Sequence, residues 1–508
     1  MHFSGIDVAI VLLYMIVTAG VGSWIGRGQK DTNDYFLGKR QIPWLAVSLS
    51  IVATETSVLT FISIPAVSYG GNMTFLQLTF GYVIGRILVA MLLIPQYFRG
   101  EISTAYHFLG ERFGQKMRNT ASITFMVTRL LADGVRLFAT AIPLALIIKG
   151  SGIFKSLSDV DFYLISIIAI GIFTMIYTYI GGIRSVIWMD VVQLIIYIGG
   201  ALLAAALILN RLPHGLESAI EWAKPDGKLK TFYLGANLTF KEFIKQPYVF
   251  ITAVLGGAVF SLASHGTDQL IVQRILACKN MRASQKAIAL SGILVVLQFF
   301  VFLLVGIFLY AYYQGMGLEQ LNLTRADGIF PKFIVEEMPV GVSGLIVAAL
   351  FAAAMSTLAS SLSSLSSATV LDILAPLAGK KKTPAELLKI SRFVTLIWGV
   401  VLIGTAFAFI GIKGAVVEIA LGIASYTYGG LLGTFLLGLF FKNVTQRDAI
   451  IGFASALVVM TLFIQTIQIA WPLYTVVGSF TTIVIGVLSY RFLLRFNINL
   501  RRIPFLKW

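Results

Sequence analysis

Thirteen apolar stretches, each long enough to cross a bilayer, constrain this chain more than any other feature. About 20 apolar residues span the hydrocarbon core as a helix. The stretches lie at 5–25, 43–69, 74–97, 118–149, 162–180, 184–210, 248–277, 287–314, 340–374, 389–410, 414–441, 447–466 and 472–493. In hydrocarbon every backbone N–H and C=O must be satisfied internally, which leaves helices or closed barrels. Continuous apolar runs of this length select helices. Only 12% of the residues are charged, about half the share of a soluble protein. The chain therefore reads as an all-α polytopic membrane protein, residues 1–508 forming one transmembrane domain.

The charge is unevenly placed. With the N-terminus outside, 25 of the 39 Lys and Arg fall on the cytoplasmic side and 11 outside, while Arg86, Arg129 and Arg136 lie within spans. The cytoplasmic set includes the run Lys380-Lys381-Lys382 and the tail Arg491, Arg495, Arg501, Arg502 and Lys507. Cytoplasmic loops attract Lys and Arg in this way, so the net charge of +16 reports topology and not a nucleic-acid partner. The reading is a multi-pass cell-membrane protein with a cytoplasmic C-terminus. Its first span lacks a basic leader and a cleavage site, unlike a signal peptide. One cysteine, Cys278, excludes an intrachain disulfide, and four scattered histidines show no metal-ligand spacing.

Glu55 lies inside span two, in Ala53-Thr54-Glu55-Thr56-Ser57. A carboxylate at bilayer depth costs several kcal/mol unless it is paired or reaches water, so it marks a pathway or site by default. The hydroxyl residues around it let carbonyls leave the helix ladder, which hydrocarbon tolerates only where backbone lines a cavity. The plainer reading is a structural acid tied to a buried arginine. Span seven has a similar irregularity, with Gly256-Gly257 followed by Ser264-His265-Gly266-Thr267-Asp268. Two interrupted spans at matching positions are the mark of an inverted-repeat transporter. The repeats expected on this basis are 43–210 and 248–441, five spans each, with one helix before and two, 447–493, after.

Three further spans carry chemistry. In span nine, helical spacing puts Ala353, Ser356, Thr357, Ser360 and Ser364 on one stripe. Hydroxyls are hard ligands for an alkali cation, yet small-residue stripes also serve close helix packing. Span four puts Arg129, Asp133 and Arg136 on one face, where Asp133 neutralises one arginine. The other needs Glu55, another acid or an anionic ligand, unless the triad only locks helices together. In span six Asp190 either ligates a cation leaving inward or pairs with Arg184; spacing favours the pairing.

From the first span to about residue 445 the chain resembles the sodium:solute symporter family, whose members have the leucine-transporter fold. The resemblance is carried by Asp34-Tyr35-Phe36-Leu37-Gly38, by Ala53 to Ser57, and by Thr60-Phe61-Ile62-Ser63-Ile64-Pro65-Ala66. Tyr177 to Gly182, Trp188-Met189-Asp190, Gln269 to Arg274, Phe333 to Pro339 and the span-nine stripe complete it. The wording around Pro65 and Met338-Pro339 is closest to the sialic-acid transporter branch. The resemblance implies thirteen helices and sodium-coupled uptake by alternating access. It implies a main sodium site on Ala53, Thr56, Ala353, Ser356 and Thr357. A second sodium site of that branch falls on Ser360 and Asp190, although Ala359 stands where the branch has serine.

The substrate pocket expected from the charges and the resemblance comprises Glu55, Ser57, Thr60, Phe75, Gln77, Thr79, Arg129, Asp133, Arg136, Ser261, Ser264 and His265. Glu55 stands where relatives carry a neutral polar residue, and Ser264 where the sugar-transporting branch has a gating tyrosine. The function that follows is sodium-coupled import of a small polar solute, such as a sialic acid, a monocarboxylate or a sugar, by a monomer in the lipid bilayer. The alternative is a membrane-embedded enzyme acting on a lipid or isoprenoid, which should cluster acids, or a histidine and an acid, near one interface.

Overall fold

The computed structural model describes residues 4–100, 102–150, 157–323, 325–378, 382–410, 416–467 and 469–495. Lys380, Lys381, Arg501, Arg502 and Lys507 of the expected cytoplasmic charges lie outside them. Among the described residues, β pairing is limited to an isolated bridge between Ile42 and Cys278. Helix α1 spans Gly5–Ile25, α2 Trp44–Glu55, α3 Val58–Gly70 and α4 Leu76–Leu88, which runs on through a wider turn to Tyr97. Next come α5 Ala105–Phe113, α6 Gln115–Gly150 and α7 Asp159–Arg211. Then follow α8 Phe250–Gly266, α9 Gln269–Leu276, α10 Met281–Tyr312 and α11 Ile329–Glu337. The last five are α12 Val342–Ser367, α13 Pro384–Ala408, α14 Val416–Phe440, α15 Gln446–Thr466 and α16 Pro472–Arg495.

Among the described residues, ten helices are long and apolar enough to cross a membrane, or eleven with α2 and α3 taken as one bent span. Helix α6, with its Arg129, Asp133 and Arg136, is not among them. Helix α7 joins two expected spans, 162–180 and 184–210, in a single run of 53 residues. A straight helix of that length would measure about 80 Å at 1.5 Å per residue, more than twice the hydrocarbon thickness. Gly182 breaks it, with φ +53°, a conformation that costs glycine little because it has no Cβ.

Helix α12 is the central pillar. Its apolar window is 89% buried, against 28% for α1, whose Leu13, Ile16 and Val17 face outwards. Asp7 at the start of α1 is buried against the N-terminus of α12. It accepts hydrogen bonds from the backbone N–H of Gly341 (2.7 Å) and Gly344 (2.8 Å) and from the Ser343 hydroxyl (2.9 Å). An acid there satisfies orphan donors and complements the helix dipole. Helices α4 and α8 pack more tightly still. A Cβ on Gly81 would lie 2.4 Å from the Val254 carbonyl, and one on Gly85 2.3 Å from that of Ala258. Glycines four apart allow this backbone approach, which carries Arg86 of α4 towards His265 of α8.

Candidate functional site

The chain leaves helical geometry at Thr56 (φ −86°, ψ 106°) and Ser57 (φ −96°, ψ 171°), and α2 and α3 meet at a bend of 66°. The last carbonyls of a helix have no partner within it. Here the Val52 carbonyl takes both the N–H and the hydroxyl of Thr56, at 3.2 and 2.9 Å. The Ala53 carbonyl lies one residue on, at the break. Helix α12 packs across α2 and brings Ala353, Ser356 and Thr357, all buried. The Thr357 hydroxyl donates to the Ala353 carbonyl at 3.1 Å, and that of Ser356 to Asp190 Oδ1 at 2.6 Å. The donor set is carbonyl and hydroxyl oxygen, suited to a hard cation. Among the described residues no cluster of His, Cys, Asp or Glu offers a transition-metal site.

Beside this break lies a cavity of about 1100 Å³. Glu55, Ser57, Thr60, Phe75, Arg129, Arg136, Ser264 and His265 line it, with Tyr82, Phe260, Tyr428 and Trp471. Glu55 is paired with the fully buried Arg86, whose Nη1 donates to Ser291 at 3.1 Å. His265 Nε2 lies 3.7 Å from the Glu55 carboxylate, and its Nδ1 is 2.9 Å from the Ser264 hydroxyl. The arginine pairing does not remove Glu55 from the cavity. It is tied to a buried arginine, and it faces the cavity with 18% of its side chain exposed.

Arg129 and Arg136 also line the cavity, each paired with a buried acid. Arg129 pairs with Asp268 at the α8–α9 break, lies 3.6 Å from Asp133, and donates to the Tyr428 hydroxyl at 2.6 Å. That hydroxyl in turn donates to Asp268 at 2.6 Å. The acid expected for the second arginine of span four is thus Asp268, and Glu55 is engaged elsewhere. Among the described residues, the Arg136 guanidinium has Asp133 as its one ion-pair partner, at 3.4 Å, and it keeps 23% of its side chain exposed on the cavity wall. Asp133 also accepts from Ser361 of α12 at 2.5 Å. It faces a smaller pocket shared with Ser57, Arg136 and Thr357.

Three expected pocket residues point elsewhere. Gln77 is buried and staples the chain, donating to the Tyr248 carbonyl at 2.9 Å and accepting from the Tyr233 N–H at 3.0 Å. The Thr79 hydroxyl returns to the Leu76 carbonyl at 2.7 Å, and that of Ser261 to the Tyr82 carbonyl at 3.1 Å. Helical periodicity brought them near the pocket but not into it. Asp190 is corrected too: its ion-pair partner is Arg274, at 2.9 Å, and not Arg184. Six positions separate Asp190 from Arg184, which is not a neighbouring spacing on a helix. Sequence reasoning named Arg86 as a charge within a span and quoted Asp268 and Arg274 in motifs, but gave none of them a role. The signal available for each was an ionisable group in an apolar span.

The profile of the sodium:solute symporter family matches residues 35–455. The sodium/sialic acid symporter SiaT of Proteus mirabilis (strain HI4320) is 27% identical over 490 residues, covering 96% of this chain and 95% of that protein. The human sodium/iodide cotransporter is 26% identical over 470 residues, 90% of this chain and 69% of its own length. Among solved structures, a Na+-coupled sialic acid symporter in a substrate-bound, outward-open state superposes with a TM-score of 0.85 at 26% identity, covering 96% of this chain and 98% of that one. Mhp1, a nucleobase-cation-symport-1 family transporter, matches at a TM-score of 0.53 and 11% identity, a likeness of fold alone. These relatives are transporters, which removes the membrane-enzyme alternative. With a leucine-transporter-like fold, a helix broken beside buried hydroxyls and a family match over most of its length, the chain belongs to the sodium:solute symporter family and is a sodium-coupled solute symporter of the cell membrane.

Proposed function

We propose that this symporter imports a polar organic solute bearing a carboxylate, and that Arg136 recognises the carboxylate. The observation that carries this reading is the guanidinium of Arg136, which among the described residues is held by one long contact to Asp133 and faces the cavity. Arginine presents a planar fork that fits a carboxylate bidentately. Arg86, Arg129 and Arg274 are buried against acids and are less available. The Glu55–His265 end then meets hydroxyl or amide groups of the same solute. Names of relatives put sialic acids first among the candidates. Sodium is held by the carbonyls of Ala53, Thr56 and Ala353 and the hydroxyls of Ser356 and Thr357. The cavity reaches Pro247, Tyr248, Asp327, Trp471 and Tyr474, beside the long connections on the expected outer side. That fits an outward-open monomer with its N-terminus outside and repeats at 43–210 and 248–441.

A neutral sugar or polyol is the second reading. The three acids around the cavity (Glu55, Asp133 and Asp268) balance Arg86, Arg129 and Arg136, so the empty site has no net charge. A thermal-shift panel in sodium decides, with sialic acids, monocarboxylates, sugars and polyols tested on the wild type, Arg129→Ala and Arg136→Ala. A carboxylate ligand should lose about 1.5–3 kcal/mol of binding in Arg136→Ala, the usual worth of a charge-assisted hydrogen bond. Stabilisation by neutral sugars alone, insensitive to both substitutions, sinks the carboxylate proposal.

A further inference from the structure

The two ring nitrogens of His265 are served unequally. Nδ1 lies 2.9 Å from the Ser264 hydroxyl, whereas Nε2 is buried without a hydrogen-bond partner among the described residues. The side chain is only 4% exposed, yet it lines the cavity. Nε2 faces Glu55 Oε2 at 3.7 Å, too far for a hydrogen bond. The neighbours of an imidazole decide which nitrogen carries the proton. A lone pair on Nε2 would be repelled by the carboxylate, and an N–H is attracted to it. Nε2 therefore holds a hydrogen, and Nδ1 accepts from Ser264. Arg86 does not fill the gap, because its Nη2 is committed to Glu55 and its Nη1 to Ser291 at 3.1 Å.

We infer that the transported solute bears a hydroxyl that bridges His265 and Glu55, so that the site selects hydroxy acids and sugar acids over plain monocarboxylates. An oxygen about 2.8 Å from both atoms accepts from the Nε2 hydrogen and donates to the carboxylate, which it reaches through the 18% of the Glu55 side chain left exposed. A hydroxyl does both from one atom. A carboxylate or ether oxygen only accepts, and an ammonium only donates. A trans secondary amide points its N–H and C=O in opposite directions. A solute without the hydroxyl leaves Nε2 buried and unpaired, and a site built to hydrogen-bond a hydroxyl rejects such an analogue on that ground. The inference rests on the cavity being the solute site, as in the proposed function, but not on Arg136. A neutral polyol would use the same bridge.

Nitrogen NMR of the full chain, labelled at its four histidines, tests the donor without any solute. His265→Gln assigns the signal, which should show a proton on Nε2. A ring protonated on Nδ1 alone overturns the inference. Thermal shifts in sodium then compare lactate with propionate, and sialic acid and glucose with their singly deoxygenated forms. In the wild type the hydroxylated member of at least one pair should bind about 10- to 100-fold more tightly. His265→Phe should abolish that advantage while the deoxygenated probe binds as before, and His265→Gln, which keeps an N–H, should restore part of it. An advantage unchanged in His265→Phe overturns the inference. Equal losses by both members of a pair do so too, since the ring would then only pack, and so does a panel in which no hydroxylated probe binds. If glucose alone shows the expected pattern, the bridge stands and the carboxylate reading falls.

Discussion

The two interruptions in the membrane helices look alike in sequence and differ in chemistry. At the α2–α3 break the residues are Thr56 and Ser57. Ser57 caps α3 by accepting the Thr60 N–H at 3.4 Å, and Thr56 turns back to Val52. No acid of that segment reaches the freed carbonyls, since Glu55 is drawn aside by Arg86. At the α8–α9 break Asp268 caps α9 through the Leu270 N–H at 2.8 Å and also binds Arg129 and Tyr428. The first break leaves backbone acceptors beside Glu55, where we place the sodium. The second supplies its own anion and is filled by an arginine. A broken helix is thus a potential site, and the side chains at the break decide whether a ligand or the protein completes it.

The largest expected effect comes from opening the protein-filled break. Asp268→Asn leaves the buried Arg129 with the Tyr428 hydroxyl and, as its remaining acid among the described residues, Asp133 at 3.6 Å, and losing one partner of a buried pair costs about 3–5 kcal/mol. Thermal unfolding in detergent should show that loss whether or not sodium is present. A drop no larger than that of a cap variant at the other break would erase the contrast drawn above.

Next in size is the break where we place the sodium. Ser356→Ala with Thr357→Ala removes the two hydroxyls proposed as sodium ligands, each worth about 1–2 kcal/mol. The sodium concentration for half-maximal uptake should rise ~30-fold or more, at 1.4 kcal/mol per decade, while the protein still folds. Unchanged sodium dependence would place the ion elsewhere.

Glu55→Gln sharpens the comparison by removing the charge beside the first break without changing its shape. Uptake should fall by about an order of magnitude, as for the loss of one charge-assisted hydrogen bond, or its pH profile should flatten. Wild-type kinetics at every pH would leave Glu55 a purely structural partner of Arg86. The smallest effect belongs to Ser57→Ala, whose lost N-cap costs about 0.5–1 kcal/mol. That loss should appear in thermal unfolding, and a larger one would mean that Ser57 holds more than the helix end.

Much of the membrane architecture was legible. The expected span 5–25 is α1, Gly5–Ile25, and the expected break in Ala53 to Ser57 falls at Thr56. The irregular stretch Ser264 to Asp268 ends α8 and opens α9. The serine stripe of α12 was harder, because its hydroxyls serve several neighbours. Ser356 turns to Asp190, Ser361 to Asp133, and Ser363 and Ser367 accept from α9. One periodicity covers both ligation and packing, and the sequence alone left the two unresolved.

What the sequence determined by itself is whatever each segment settles alone against lipid: helical spans, their breaks, and the ionisable groups that cannot be left bare. Those are local costs of burying backbone and charge in hydrocarbon. The tertiary structure alone decided which charges meet. Glu55 finds Arg86 at 31 positions' distance, Asp190 finds Arg274 at 84, and Arg129 finds Asp268 at 139. Each pairing depends on which helix faces overlap after packing. That is a sum over many weak contacts between segments remote in the chain, and no local pattern records it.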